Sequence, residues 1–171
     1  MVYFSIDDII VLHSKLIEDF GGTDGIRDRG MLESAVNTPL QTFDGLDLYP
    51  FETEKIARLS YGLVMDHPFF DGNKRIAALV LDLGLSANSL ELKVTDQEMI
   101  DEFIGLASGK IMFDDFLSWV EKLSLPEGLQ ALYEAGRISK ENGNSEMTLD
   151  EINEEIRLAR EELDTKKSNS K

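Results

Sequence analysis

The 171-residue chain contains no cysteine, which excludes disulfides, zinc–thiolate centres and cysteine nucleophiles. Basic residues are scarce: 17 Lys and Arg stand against 33 Asp and Glu, for a formal net charge of −16. That balance argues against a nucleic-acid partner and against an anionic membrane surface, both of which call for basic patches. Long apolar runs are missing too, since the longest stretch, "IAALVLDLGL", is broken by Asp82 and is too short to span a bilayer. The first residues, "MVYFSIDDII", lack a basic segment followed by a long apolar stretch and a cleavage site, so no export signal is expected. The expectation is a soluble, cytoplasmic protein. What is present is an ordinary apolar content of 42%, enough for one domain with a real core and perhaps an appendage.

Helical periodicity dominates. Ile6, Ile9, Ile10, His13, Leu16, Ile17 and Phe20 recur at threes and fours, the spacing of one helical face. Ser5 and Asp8 form a capping box ahead of that face, and Gly21-Gly22 ends it. The stretch "GGTDGIRDRG" reads as a loop and "RGMLESAV" as a short helix. Residues 37–50, with two prolines and a glycine, read as an exposed loop or small hairpin, the candidate flap of the domain. A helix is expected from about Phe51 to Asp66, ended by His67-Pro68 because proline disfavours helical geometry in the residue before it. The next, from about Asn73 to Asn88, is apolar nearly all round and is expected to be the central buried helix. Thr95 and Glu98 cap a further helix, and "FDDFLSWVEKL" supplies one more. Strand is expected at Leu90–Val94 at most. The fold class is all-α: a helical bundle around a central buried helix, with a C-terminal helical extension.

The texture changes near residue 125, which divides the chain into a domain at 1–125 and an extension at 126–171. Ser124, Pro126 and Gly136 bound a short helix, and "RISKENGNSE" is a polar linker. Thr148 and Glu151 then cap a helix whose stripe, Leu149, Ile152, Ile156, Ala159 and Leu163, is too narrow to make a core alone.

The densest polar chemistry is "HPFFDGNKR", residues 67–75, at the entrance to the apolar helix. His67 closes one helix and Asn73 opens the next, so the residues between form a tight turn. Gly72 allows a close approach that a side chain would block. The amides at the start of the following helix lack intrahelical acceptors and favour an anion. Lys74 and Arg75 stand at the positive pole of the helix, where cations cost about 0.3–1 kcal/mol each. Two cations in that position point to a ligand anion, most naturally phosphate. Asp71 beside it calls for a bridging cation such as Mg²⁺, and His67 supplies a group able to take a proton near neutral pH. Read singly, each residue has a bland account: a capping histidine, turn-forming Asp71 and Asn73, solvated Lys74 and Arg75. The cluster has the components of phosphoryl or nucleotidyl transfer.

"HPFFDGNKR" resembles the Fic/Doc signature, H-x-F-x-[D/E]-[G/A]-N-[G/K]-R, at every fixed position. "GGTDGIRDRGMLESAV" and "ASGKIMFDDFLSWV" are similar to the death-on-curing (Doc) toxin branch, and the likeness covers roughly residues 4–122. The resemblance implies that His67 is the general base for a target hydroxyl and that Phe69 packs beneath the loop. Asp71 would orient Mg²⁺ or the hydroxyl, while Gly72, Asn73, Lys74 and Arg75 would bind the phosphates of ATP. Lys74 stands where AMP-transferring Fic enzymes carry glycine, and Ala78 where many carry a second arginine. The Doc branch shares the lysine and is a kinase branch, whose target is a threonine of elongation factor Tu and whose action blocks translation. Protein kinase is therefore the first expectation, adenylyltransferase the second, and a catalytically inactive regulatory module the third. The branch also implies an antitoxin partner, and "MTLDEINEEIRLARE" resembles short antitoxin segments that would act in cis or in trans.

Of the remaining residues, His13 is expected to be a satisfied packing residue, and Arg27 and Asp28 to pair locally within the glycine loop. Phe43 and Tyr49 either touch a target or anchor the flap. Asp82 is expected to face a polar partner or the wall of the site, and Asp114-Asp115 to sit at a helix start without further function.

Overall fold

A computed structural model describes residues 1–126, 129, 130 and 133. The chain divides into two compact units, Met1–Ser124 and Leu125–Lys171. In the second, the amides of Leu129 and Gln130 donate to the Pro126 carbonyl at 2.8 and 3.0 Å, the opening turn expected of a proline-started helix. The helix expected at 148–163 and its antitoxin-like reading lie outside the described residues.

The first unit is all-α apart from one hairpin. Its elements are α1 (Ile6–Phe20), α2 (Arg29–Asn37), a 3₁₀ turn (Thr38–Leu40), β1 (Thr42–Phe43), β2 (Leu46–Asp47), α3 (Glu52–Met65), α4 (Asn73–Ala87), α5 (Asp96–Ala107) and α6 (Phe113–Ser124). The helix starts are chemically specified. Ser5 and Asp8 form the capping box of α1, and Thr95 and Glu98 that of α5. Asp28 accepts the Met31 amide at the start of α2, and Glu54 accepts the Phe51 amide ahead of α3. Such caps contribute about 0.5–2 kcal/mol each.

Residues 37–50 contain the hairpin, with Thr42 opposite Asp47 and Phe43 opposite Leu46. Asp44 and Gly45 both have positive φ, 50° and 80°, the twist that suits a two-residue hairpin turn. At its base Tyr49 packs edge-on against Phe113 and lies under the Arg58 guanidinium, and the Lys55 ammonium bonds both Asp47 and the Tyr49 carbonyl. Tyr49 therefore anchors the flap, whereas Phe43 is exposed.

The bundle does enclose a central helix, but α3 is more enclosed than the expected α4. Residues Thr53–Ala57 and Leu59–Val64 of α3 are buried, and α3 packs against α2, α4, α5 and α6. Polar residues obscured this in the sequence: Ser60 donates to the Ala77 carbonyl and Lys55 is paired as above, so both are buried at little cost. On α4, Asp82 is exposed; among the described residues it meets no buried partner, and it does not line the cleft. Phe20, the last residue of α1, is 78% exposed because the face it shares with Ile17 has run past the core. Leu90–Val94 is not a strand. Leu90 and Leu92 are buried, but among the described residues this segment has no neighbouring strand to pair with, and it is held through the Lys93 amide to the Leu123 carbonyl. Among the described residues, no helix is long and apolar enough to cross a membrane.

Candidate active site

The α3–α4 connection sits where α1 and the glycine loop, residues 21–28, close over it. α3 ends at Asp66, and His67 leaves the helix with φ 46°. Proline at 68 disfavours the right-handed alternative, so the histidine takes the left-handed position that glycine usually fills at a helix end. That conformation costs a non-glycine residue about 1–3 kcal/mol and persists only where the surroundings impose it. They do so here by pairing. The Pro68 carbonyl accepts the amides of Arg27 and Asp28 at 2.7 and 3.1 Å, and the Phe70 amide donates to the Gly25 carbonyl at 3.2 Å. Ile26 and Phe69 form an antiparallel bridge, and Arg27 Nη2 donates to the Asp66 carbonyl at 3.2 Å. Arg27 and Asp28 thus bind the loop opposite them rather than each other, and Asp28 also caps α2.

The turn surrounds an open cleft of about 250 Å³ lined by His67, Phe70, Asp71, Gly72, Asn73, Lys74 and Arg75. His67 is half-exposed there, and no hydrogen bond or ion pair engages its ring among the described residues. Gly72, with φ 75°, is the N-cap of α4 and has no side chain to bond the first amides. The first turns of α1, α3, α5 and α6 carry acidic residues; that of α4 carries Lys74 and Arg75 instead. Its positive pole is therefore uncapped and reinforced, an arrangement suited to a multiply charged anion. Lys74 is exposed and meets no carboxylate among the described residues, while Arg75 bonds the Gly21 carbonyl at 2.8 Å and lies 3.5 Å from Asp71 Oδ1.

Asp71 is half-exposed. The Gly72 amide donates to its Oδ1 at 2.6 Å, and this bond, with smaller contributions from the Thr23 amide and Arg75, holds the carboxyl below the usual range against a modest opposing desolvation. Asn73 lines the cleft, and its side chain is buried and occupied by the Phe69 backbone, accepting from the amide and donating to the carbonyl. The side chain thus shapes the turn.

Behind the turn, Phe69 is buried and stacks on His13 at 3.8 Å between ring centroids, 7° from parallel. His13 is 1% exposed, a packing residue as expected, but it also bonds through Nε2 to the Asp71 carbonyl at 2.8 Å. The glycine loop completes the rear wall. A Cβ on Gly22, which has φ 130°, would lie 2.5 Å from Asp71 Oδ2 and 3.0 Å from Arg75 Nη2. His13 and Gly22 are the site residues that sequence periodicity did not bring forward. The signal available was the pairing of a histidine on the apolar face of α1 with the glycine run that follows it.

Residues 3–85 match the family model described as the Fic/DOC family. The matched segment runs from before α1 to near the end of α4 and contains every residue lining the cleft. Over 73 residues the chain is 40% identical to "Toxin Doc" of Mycolicibacterium smegmatis (strain ATCC 700084 / mc(2)155), a stretch covering 43% of this chain and 56% of that protein. The chain thus spans little more than half the length of that curated relative.

Proposed function

We propose that this protein is a Doc-like toxin of a toxin–antitoxin system that transfers the γ-phosphate of ATP to a hydroxyl of a protein target. The observation that carries the reading is the juxtaposition of the His67 imidazole, unengaged among the described residues, with the uncapped, doubly cationic start of α4 across one cleft. The likeness to a protein named Toxin Doc supports the toxin role, and with it an antitoxin partner and action in the cytoplasm. The target implied by the family resemblance is a threonine of elongation factor Tu, whose modification blocks translation.

In this reading the amides of α4 and the side chains of Lys74 and Arg75 hold the polyphosphate. His67 accepts the proton of the target hydroxyl as its oxygen bonds the γ-phosphorus. The bond from that phosphorus to the bridging oxygen breaks, and ADP leaves. Asp71 fits a magnesium role: it is an ionised, half-exposed carboxylate beside the anion cradle. The described residues contain no cluster of three or more metal-binding side chains, but Mg²⁺ commonly uses one carboxylate together with phosphates and water. When bound, the ion would offset phosphate charge; the chain's part is to keep the carboxylate aimed and ionised.

Lys74 in place of glycine, and Ala78 without a guanidinium, favour γ-phosphate transfer over adenylyl transfer. Incubation with γ-labelled and α-labelled ATP and a cell extract separates the two. Label from the γ-position on protein is expected. Label from the α-position would instead identify an adenylyltransferase, and neither label from a folded protein would leave a regulatory module. His67→Ala is expected to abolish transfer with helicity unchanged; retained transfer would remove His67 from the mechanism.

A further inference from the structure

We propose that His13, buried behind the turn and outside the cleft, is a positioning residue that fixes the direction of the Asp71–Gly72 peptide and so the aim of the Asp71 carboxylate. The argument starts from what a carbonyl can do. The Asp71 carbonyl only accepts, so the His13 Nε2 that meets it at 2.8 Å carries the proton and donates. The ring cannot easily turn away. One face is stacked on Phe69, and the residue is only 1% exposed, packed on all sides.

A trans peptide is planar, with its C=O and N–H pointing in opposite directions. Holding the Asp71 carbonyl toward α1 therefore holds the Gly72 amide away from it, onto Asp71 Oδ1 at 2.6 Å. Without the His13 bond the peptide loses its anchor on the carbonyl side and is left to the Gly72 amide's bond to Asp71 Oδ1, with no Cβ on Gly72 to resist rotation. A flipped peptide would withdraw the amide from the carboxylate and turn a carbonyl toward the anion cradle. The packing also explains why residue 72 must be glycine beside this histidine: an added Cβ would lie 3.3 Å from His13 Nε2 and 3.1 Å from Ile17 Cδ1, at φ 75°.

Two variants separate positioning from packing. His13→Phe keeps an aromatic ring against Phe69 and removes the donor; His13→Gln keeps a donor near the Nε2 position and gives up the stack. The readouts are the Gly72 amide in proton–nitrogen NMR spectra, the melting temperature, and kcat and KM for transfer. The kinetic readout rests on the transferase reading above, whereas the spectral one does not. In His13→Phe the Gly72 amide is expected to leave its carboxylate-bonded downfield position. kcat is expected to fall by roughly 10–100-fold, the usual effect of removing a partner that orients a functional group, with KM for the protein target unchanged. His13→Gln is expected to retain the amide signal and most of kcat despite its lost stacking. An unmoved Gly72 amide in His13→Phe, or equal losses of kcat in both variants, would overturn the proposal. If the wild-type protein transfers no label, the transferase reading fails and the amide comparison still decides. If His13→Phe does not fold, the wild-type spectrum decides: a protonated Nε2 coupled through its hydrogen bond to the Asp71 carbonyl carbon is expected, and an unprotonated Nε2 would overturn the assignment.

Discussion

Asn73 closes the active-site turn by holding both ends of one residue: the Phe69 amide donates to its Oδ1 and its Nδ2 donates to the Phe69 carbonyl, each at 2.9 Å. The side chain thereby takes the place of a missing piece of secondary structure. The turn between α3 and α4 is too short to pair with itself, and Phe69 is buried, so its main-chain groups have no water to bond. The asparagine in the motif thus keeps the backbone satisfied while Phe69 fills the space beneath.

Replacing Asn73 with alanine should therefore act on stability before chemistry. It orphans a buried amide and a buried carbonyl, each worth about 1–3 kcal/mol. Asn73→Asp restores the acceptor but sets a carboxylate oxygen against the Phe69 carbonyl, and should be at least as harmful near neutral pH. Denaturant midpoints for the two variants test this. A wild-type midpoint in Asn73→Ala accompanied by lost nucleotide binding would instead assign the side chain to the ligand.

Gly22→Ala should show the opposite balance. The new Cβ would fall 2.5 Å from Asp71 Oδ2 and 3.0 Å from Arg75 Nη2. Both are ends of half-exposed side chains that can move aside, so that part of the packing penalty is relieved by displacing the Asp71–Arg75 pair, while the contact with the buried Ile17 Cδ1 at 3.0 Å yields less readily. The positive φ at residue 22 adds strain of about 1–3 kcal/mol. The expectation is modest destabilisation with a disproportionate loss of transfer, seen as a fall in kcat larger than the shift in unfolding midpoint accounts for. Transfer that falls only with the folded fraction would show that the pair's position is not important.

How much of this was readable in advance depends on the range of the interactions. Ser5 with Asp8 and Thr95 with Glu98 act within three residues, so the caps and the all-α class were legible as local patterns. The turn was legible because Lys74 and Arg75 sit where a helix start does not want them. The tie from His13 to the Asp71 carbonyl crosses 58 positions, and no periodicity encodes it. The centrality of α3 was hidden for a related reason. Lys55 and Ser60 look solvent-facing until the hairpin and α4 supply their partners. Among the described residues, Leu90–Val94 has no neighbouring edge to make it a strand.

Lys74 provides a test of the anion cradle itself. It is exposed on the first turn of α4 and free of carboxylate partners among the described residues, so its removal should cost little stability and could slightly improve it by relieving the helix pole. A charge-assisted bond to phosphate contributes about 1.5–3 kcal/mol, so Lys74→Ala should weaken ATP binding by roughly 10–100-fold. Titration calorimetry with a non-hydrolysable ATP analogue at two salt concentrations reads this directly. The affinity of the wild type should fall more steeply with salt than that of the variant. Equal affinities would remove Lys74 from the cradle.

Asp66 gives a pH-dependent prediction with a definite sign. Burial raises its pKa above the ordinary carboxylate value, and the Arg58 charge offsets only part of that. It also caps the C-terminal, negative end of α3, where a carboxylate is unwelcome. A carboxyl whose folded-state pKa is raised binds its proton more tightly in the folded protein than in the unfolded one. The folded state is therefore relatively favoured below the unfolded value, about 3.9, and loses that advantage as pH rises through the folded value. At neutral pH the ionised group is a net burden. Asp66→Asn should thus melt higher than the wild type at pH 7, and the difference should shrink as pH falls and vanish once both forms of Asp66 are protonated. Melting curves from pH 3 to 8 measure it. A variant less stable than wild type at pH 7 would mean that attraction to the Arg58 charge outweighs burial.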